Sequence, residues 1–303
     1  MIALRGVLAP VVTPFSGDGE IDLTAFANNL SAHLAAGVSG IVITGSTGEA
    51  ALLDDSERSA LVDRARHAVP NGATLLVGTG SESTRATIAR TASAAERGAD
   101  AVLVVAPHYY GTAVTQKDLL DHYRRVADAS PIPVVLYSIP KYMHFAISPE
   151  VVATLATHGN IVGIKDSAGD RAVFAQFLEA QSDTFTVLTG NGSFFAEALR
   201  MGARGGILAA SLFAPELTLG VWRAHEYGNA EAMDDAQASM TPLAAQIVGG
   251  MGVAGVKAAM DHVGLAGGRP RPPLQPLDSV RHAALEELMR NAERQTALVA
   301  TAG

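Results

Sequence analysis

The chain has 303 residues, 48% hydrophobic and 17% charged, with a net charge of −8. That length allows two ordinary domains, or one barrel of about 250 residues with an extension. The acidic balance, without a long basic stretch, excludes an electrostatic nucleic-acid footprint, and the lack of cysteine excludes disulfides, thiolate metal sites and a cysteine nucleophile.

A cytoplasmic protein is the default expectation for a cysteine-free chain. Residues Met1 to Phe15, broken by Pro10 and Pro14, make a poor signal peptide. No uncharged apolar stretch is expected to approach the roughly eighteen residues of a membrane span, so no membrane partner is expected.

In chain order, an apolar run at 6–15 precedes a helical pattern over Leu23–Ala36, and a run at 40–47 precedes Ser56–Val69. Runs at 74–80 and 101–107 lead into Thr84–Arg97 and Gln116–Ala129, and 133–140 leads into Pro149–His158. Further apolar runs lie at 161–167, 186–192 and 205–211. Ser56, Ser83, Thr115 and Ser148 are placed to cap the helices that follow them. Eight apolar runs alternating with helices predict a parallel sheet buried on both faces, closed as a (β/α)8 TIM barrel. Residues 1–228 would form that barrel and carry the active site. Residues 229–303, with helical patterns at 230–248, 253–264 and 278–297, would form a C-terminal helical extension.

In such a barrel the chemistry sits at the C-terminal strand ends, where Thr13, Thr44, Ser46, Thr47, Tyr109, Tyr110, Tyr137, Lys165 and Asn191 fall. Lys165 lies in the apolar run Ile161–Ser167, where an unpaired charge costs several kcal/mol. Desolvation frees an amine's lone pair for attack on a carbonyl; the ordinary alternative is a lysine that reaches solvent or pairs with a carboxylate. Side chains alternate along strands, so Lys165 and Tyr137 meet if both face inward, giving an amine beside a phenol that can shuttle protons. Gly45–Glu49 is a glycine-flanked turn with two hydroxyls and exposed N–H groups, either an ordinary loop or a nest for a carboxylate.

Other signals carry less. Gly250–Gly255 matches GxGxxG but follows a helical pattern and lacks the acidic residue that dinucleotide binding needs. The nine histidines have no metal-ligand spacing. Asp166 alternates away from Lys165 and reads as a structural acceptor. No metal and no cofactor is expected.

The motifs GSTGE at 45–49, YSIP at 137–140 and GIKDS at 163–167 resemble the pyruvate-dependent lyases grouped with dihydrodipicolinate synthase and N-acetylneuraminate lyase. The resemblance runs from Gly6 to Leu274. It implies that Lys165 forms a Schiff base with a 2-oxo acid such as pyruvate and that Tyr137 relays protons. It also implies that Ser46, Thr47 and Gly48 hold the carboxylate, with one hydroxyl joining the relay. A tyrosine of the pair Tyr109-Tyr110, with Tyr109 preferred because of the extra residue before the pair, would complete the relay from a neighbouring subunit of a homo-oligomer, a dimer or tetramer. Asn191, Ile207 and Tyr142 complete the implied substrate contacts.

Tyr142 stands where the synthases carry an arginine for a distal carboxylate, followed here by Met143-His144. A phenol cannot make the bidentate guanidinium contact. YSIP, KDS-x-GD at 165–170 and the paired tyrosines look closer to the 4-hydroxy-2-oxoglutarate aldolase branch. The expectation is therefore an aldolase acting on a 4-hydroxy-2-oxo acid, with dihydrodipicolinate (4-hydroxy-tetrahydrodipicolinate) synthase as the alternative. A barrel that only binds 2-oxo acids is a third, remoter possibility.

Overall fold

The computed structural model describes residues 4–302, with side chains as far as residue 294. Residues 1–3 and 303, at the ends of the two expected units, lie outside the described residues.

Eight parallel strands close a barrel in chain order, each hydrogen-bonded to the next and β8 to β1. They are β1 (Gly6–Pro10), β2 (Gly40–Ile43), β3 (Thr74–Gly78), β4 (Ala101–Val105), β5 (Val134–Ser138), β6 (Ile161–Asp166), β7 (Thr186–Thr189) and β8 (Gly205–Ile207). Their residues are almost all buried, as expected when side chains fill the barrel on one face and meet helices on the other. The outer layer is α1 (Leu23–Ala36), α2 (Asp55–Ala68), α3 (Thr84–Glu96), α4 (Gln116–Ala129), the short α5 (Pro140–Met143), α6 (Pro149–Leu155), α7 (Arg171–Glu179), α8 (Phe195–Met201) and α9 (Pro215–Glu226).

Every strand begins within a residue of its expected start, but each stops one to five residues early. The run 6–15 pairs only to Pro10, and 205–211 pairs only to Ile207 before a 3-10 turn at Ala209–Leu212. The stretches that follow β1 and β8, residues 11–15 and 208–211, are buried as deeply as the strands, so they are apolar without belonging to one. Ser83, Thr115 and Ser148 cap α3, α4 and α6 as expected. For α2 the expectation fails: the cap is Asp54, whose carboxylate accepts from Glu57 N while Glu57 accepts from Asp54 N. A reciprocal pair satisfies two orphan donors and outcompetes Ser56.

After the barrel come α10 (Ala230–Pro242), a π-helical stretch Leu243–Met251, α11 (Gly252–His262) and α12 (Ser279–Ala302). The turn at Gly228-Asn229 separates α9 from α10, which packs along α9. One expectation needs correction here. Residues 236–256 lack charge, and the helical stretch Ala230–His262 is long and apolar enough to cross a membrane by length and composition. In the fold its apolar side chains Met233, Met240, Leu243, Ile247, Val256 and Met260 are buried in the core.

Candidate active site

The strands bring Lys165 and Tyr137 together through a small irregularity. Val134 pairs with Ile161, but Val135 pairs with Gly163, so Val162 is an extra residue on β6. That bulge makes Lys165, not Ile164, the register partner of Tyr137. A one-residue slip would send the lysine to the opposite face of the sheet. Lys165 is 6% exposed and Tyr137 4%, and Nζ lies 4.1 Å from the centre of the phenol ring. The contact is with the ring face, which excludes water from one side of the amine.

Lys165 forms no ion pair or hydrogen bond among the described residues. Its Nζ is nevertheless not sealed from solvent, unlike the neighbouring Ser138 Oγ and Asp166 Oδ1. The amine is thus buried, without a carboxylate, and reachable. Room for it comes from Gly190, just beyond β7: a Cβ there would lie 2.6 Å from Lys165 Cε and overlap Ser167 Oγ. Asp166 points away, accepting from Ala168 N at 3.1 Å, and burial raises its carboxyl pKa to about 6.

After β2 the turn at Ser46–Gly48 leaves three consecutive N–H groups without a protein acceptor among the described residues. Neither the Ser46 nor the Thr47 hydroxyl is engaged among the described residues. This is an anion nest made of neutral donors. Thr13, three residues beyond β1, donates to Gly48 O at 2.8 Å and fixes the turn. A Cβ at Gly48 would meet Val11 O at 3.1 Å and Thr44 N at 3.3 Å, so the close approach needs glycine. Thr44 and Glu49, on either side, both have left-handed backbones, at φ 49° and 57°. Thr44 is tied down by its own hydroxyl, which donates to Gly78 O at 2.9 Å.

The remaining expected residues are placed less centrally. Ile207, 1% exposed, ends β8 and supplies apolar wall. Asn191 follows Gly190, and its carboxamide oxygen accepts from Ser193 N at 3.0 Å. Tyr142 on α5 is 40% exposed; its surroundings and nearby Tyr137 raise its pKa, burial being the larger cause. Lys141 anchors α5 by donating to Gly249 O at 2.6 Å in the π-helical stretch. Tyr109 is 77% exposed and packs edge-on against Tyr110, with ring centres 4.9 Å apart. Glu82 accepts from the N–H groups of His108 and Tyr109 at 2.9 and 2.8 Å, which fixes the loop but leaves the Tyr109 ring exposed. Among the described residues, no group of three or more His, Asp or Glu side chains could hold a metal ion.

Sequence reasoning missed Gly190, Arg58 and Glu49. Arg58, buried on α2, donates to the carbonyls of Ala50 and Gly78 behind the nest. Burial lowers its pKa to about 10, and nearby Arg90 adds to the effect. Glu49 Oε1 lies 2.5 Å from Lys257 Nζ, with both side chains fully buried. A lysine inside the apolar stretch 255–260 was a readable signal for a buried pair.

A closed parallel barrel with a reachable, unpaired lysine beside a phenol and an anion nest has the parts of a barrel lyase. The model of the dihydrodipicolinate synthetase family matches residues 3–292. A 4-hydroxy-tetrahydrodipicolinate synthase from an Exiguobacterium species is 34% identical over 94% of this chain and 96% of its own. The dihydrodipicolinate synthase DapA-2 of Bacillus anthracis is 30% identical, covering 96% of this chain and 99% of its own, with a TM-score of 0.92. YagE of Escherichia coli K12, solved in complex with pyruvate, is 29% identical over 96% of this chain and 99% of its own, with a TM-score of 0.91. The chain belongs to the dihydrodipicolinate synthase family, and it is a class I lyase of the lysine Schiff-base type.

Proposed function

We propose that the chain makes or breaks a C–C bond next to an enamine formed from pyruvate on Lys165. The observation that carries this is the unpaired, reachable Nζ held 4.1 Å over the Tyr137 ring. Nζ attacks C2 of the 2-oxo acid, and the carbinolamine loses water to give an imine. Loss of a proton from C3 leaves a neutral enamine where an enolate would otherwise form. C3 then attacks an aldehyde carbon, the aldehyde oxygen takes up a proton, and water releases Lys165. In cleavage the same steps run backwards. Tyr137 moves the protons, and the Ser46–Gly48 nest holds the carboxylate without bringing a charge near the imine. Asn191, Ile207 and Tyr142 line the space for the second substrate.

Tyr109 is proposed to act from a second copy in a homo-oligomer, because in its own protomer the ring stands 77% exposed beyond the barrel.

For the second substrate, condensation with aspartate semialdehyde, as in a 4-hydroxy-tetrahydrodipicolinate synthase, is better supported than the aldolase expected from the motifs. The relative from Exiguobacterium carries that name and matches along nearly its whole length. Cleavage of a 4-hydroxy-2-oxo acid is the second reading, favoured by Tyr142 on α5, which offers a phenol for the distal group. A panel comparing pyruvate plus aspartate semialdehyde with cleavage of 4-hydroxy-2-oxoglutarate decides between them. Turnover of the first alone supports the synthase, turnover of the second alone the aldolase, and turnover of neither removes both.

A further inference from the structure

The turn that forms the nest ends at Glu49, a non-glycine residue in a left-handed conformation (φ 57°) with a fully buried carboxylate. Such a conformation is disfavoured for a residue with a side chain and persists only where surrounding contacts over-determine it. Here they do. Lys257 on α11 lies 2.5 Å from Glu49 Oε1 and donates to Arg269 O at 2.9 Å, and Arg271 N donates to Glu49 Oε2 at 2.7 Å. Phe15 covers the pair, its ring centre 4.5 Å from Lys257 Nζ. A buried ion pair is poor evidence for stability, since apolar residues of similar volume often serve as well. What this one does is tie a strained turn at the mouth of the barrel to α11 and to the segment after it.

We propose that Glu49 and Lys257 are a positioning pair for the carboxylate nest. They hold the turn in the form whose free N–H groups of Ser46, Thr47 and Gly48 grip a 2-oxo acid, while Lys165 stays competent without them. This rests on the carboxylate role given to the nest above.

The test is the pyruvate concentration that half-saturates the borohydride-reducible adduct, read together with the adduct yield at saturation, which needs no second substrate. Glu49→Gln and Lys257→Met each lower the thermal midpoint, because each leaves a lone buried polar partner. The double variant, which buries no lone charge, recovers much of the midpoint. All three are expected to raise half-saturation about tenfold or more, the loss of roughly one good hydrogen bond, with the yield at saturation kept. A double variant with wild-type half-saturation overturns the proposal, since a structural role alone would follow the midpoint. If the double variant does not fold, Glu49→Asp decides in the same way, keeping the charge and shortening its reach. Ser46→Ala combined with Thr47→Val separates the two layers. If it raises half-saturation while the pair variants do not, only the pair's role falls; if none of them does, the nest's role falls with it.

Discussion

Lys165 and Lys257 are both lysines set in apolar stretches, and what separates them is a carboxylate. Lys257 has Glu49 at 2.5 Å, whereas Lys165 has a phenol face and an open side. The sequence made Lys165 legible because strand count put it at the catalytic end. Lys257 carried the same signal, but its partner lies far along the chain and only the closed fold joins them. Gly190 was hidden for a related reason, since its use is the space it leaves. Gly190→Ala would put a Cβ 2.6 Å from Lys165 Cε, and displacing the amine by about an ångström costs on the order of a hundredfold in the rate of adduct formation. Stopped-time borohydride trapping checks this, and a wild-type rate would remove Gly190 from the account. Tyr142 acts on the other substrate. Tyr142→Arg is expected to shift preference toward an aldehyde with a distal carboxylate while leaving the pyruvate adduct intact. Loss of the adduct would show that Tyr142 serves the first half of the reaction.

At the level of elements, apolar patterning located all eight strands but overran their ends. Burial makes a run apolar, and the stretches 11–15 and 208–211, which leave this end of the barrel, are buried too. The bulge at Val162 was not readable at all, because an extra residue in a strand leaves no mark in composition. Yet it sets the register of Tyr137 and Lys165. The loop after β4 is a case where local bonds fix an element whose side chains stay outside. Glu82 holds it through two backbone N–H groups and lies 3.2 Å from the His108 ring. Glu82→Ala is expected to speed hydrogen exchange at His108 and Tyr109 by about tenfold or more, the loss of charge-assisted bonds to that loop. Unchanged exchange would mean that the loop is held by its own turns.

For the molecule as a whole, buried titrating groups set how acid acts on stability. Burial holds the pKa of His33 and His122 down to about 4, below their ordinary 6.5, so their contribution is complete above 6.5 and is lost as pH falls through 4. Asp166 has the opposite sign: its folded pKa of about 6 makes its contribution complete below 3.8 and lost as pH rises through 6. Two histidines at up to about 3 kcal/mol each outweigh one aspartate of similar size. Thermal midpoints should therefore fall by about 5 °C or more between pH 6.5 and 4, and more steeply in Asp166→Asn. A midpoint that rises over that interval would contradict this balance.

The central claim is the Schiff base, and the chain is well suited to a direct measurement because it has only four lysines: Lys117, Lys141, Lys165 and Lys257. Incubation with pyruvate, borohydride reduction and peptide mass mapping should give one adduct, on Lys165, absent from Lys165→Met. No adduct, or an adduct on one of the other three lysines, would contradict the account.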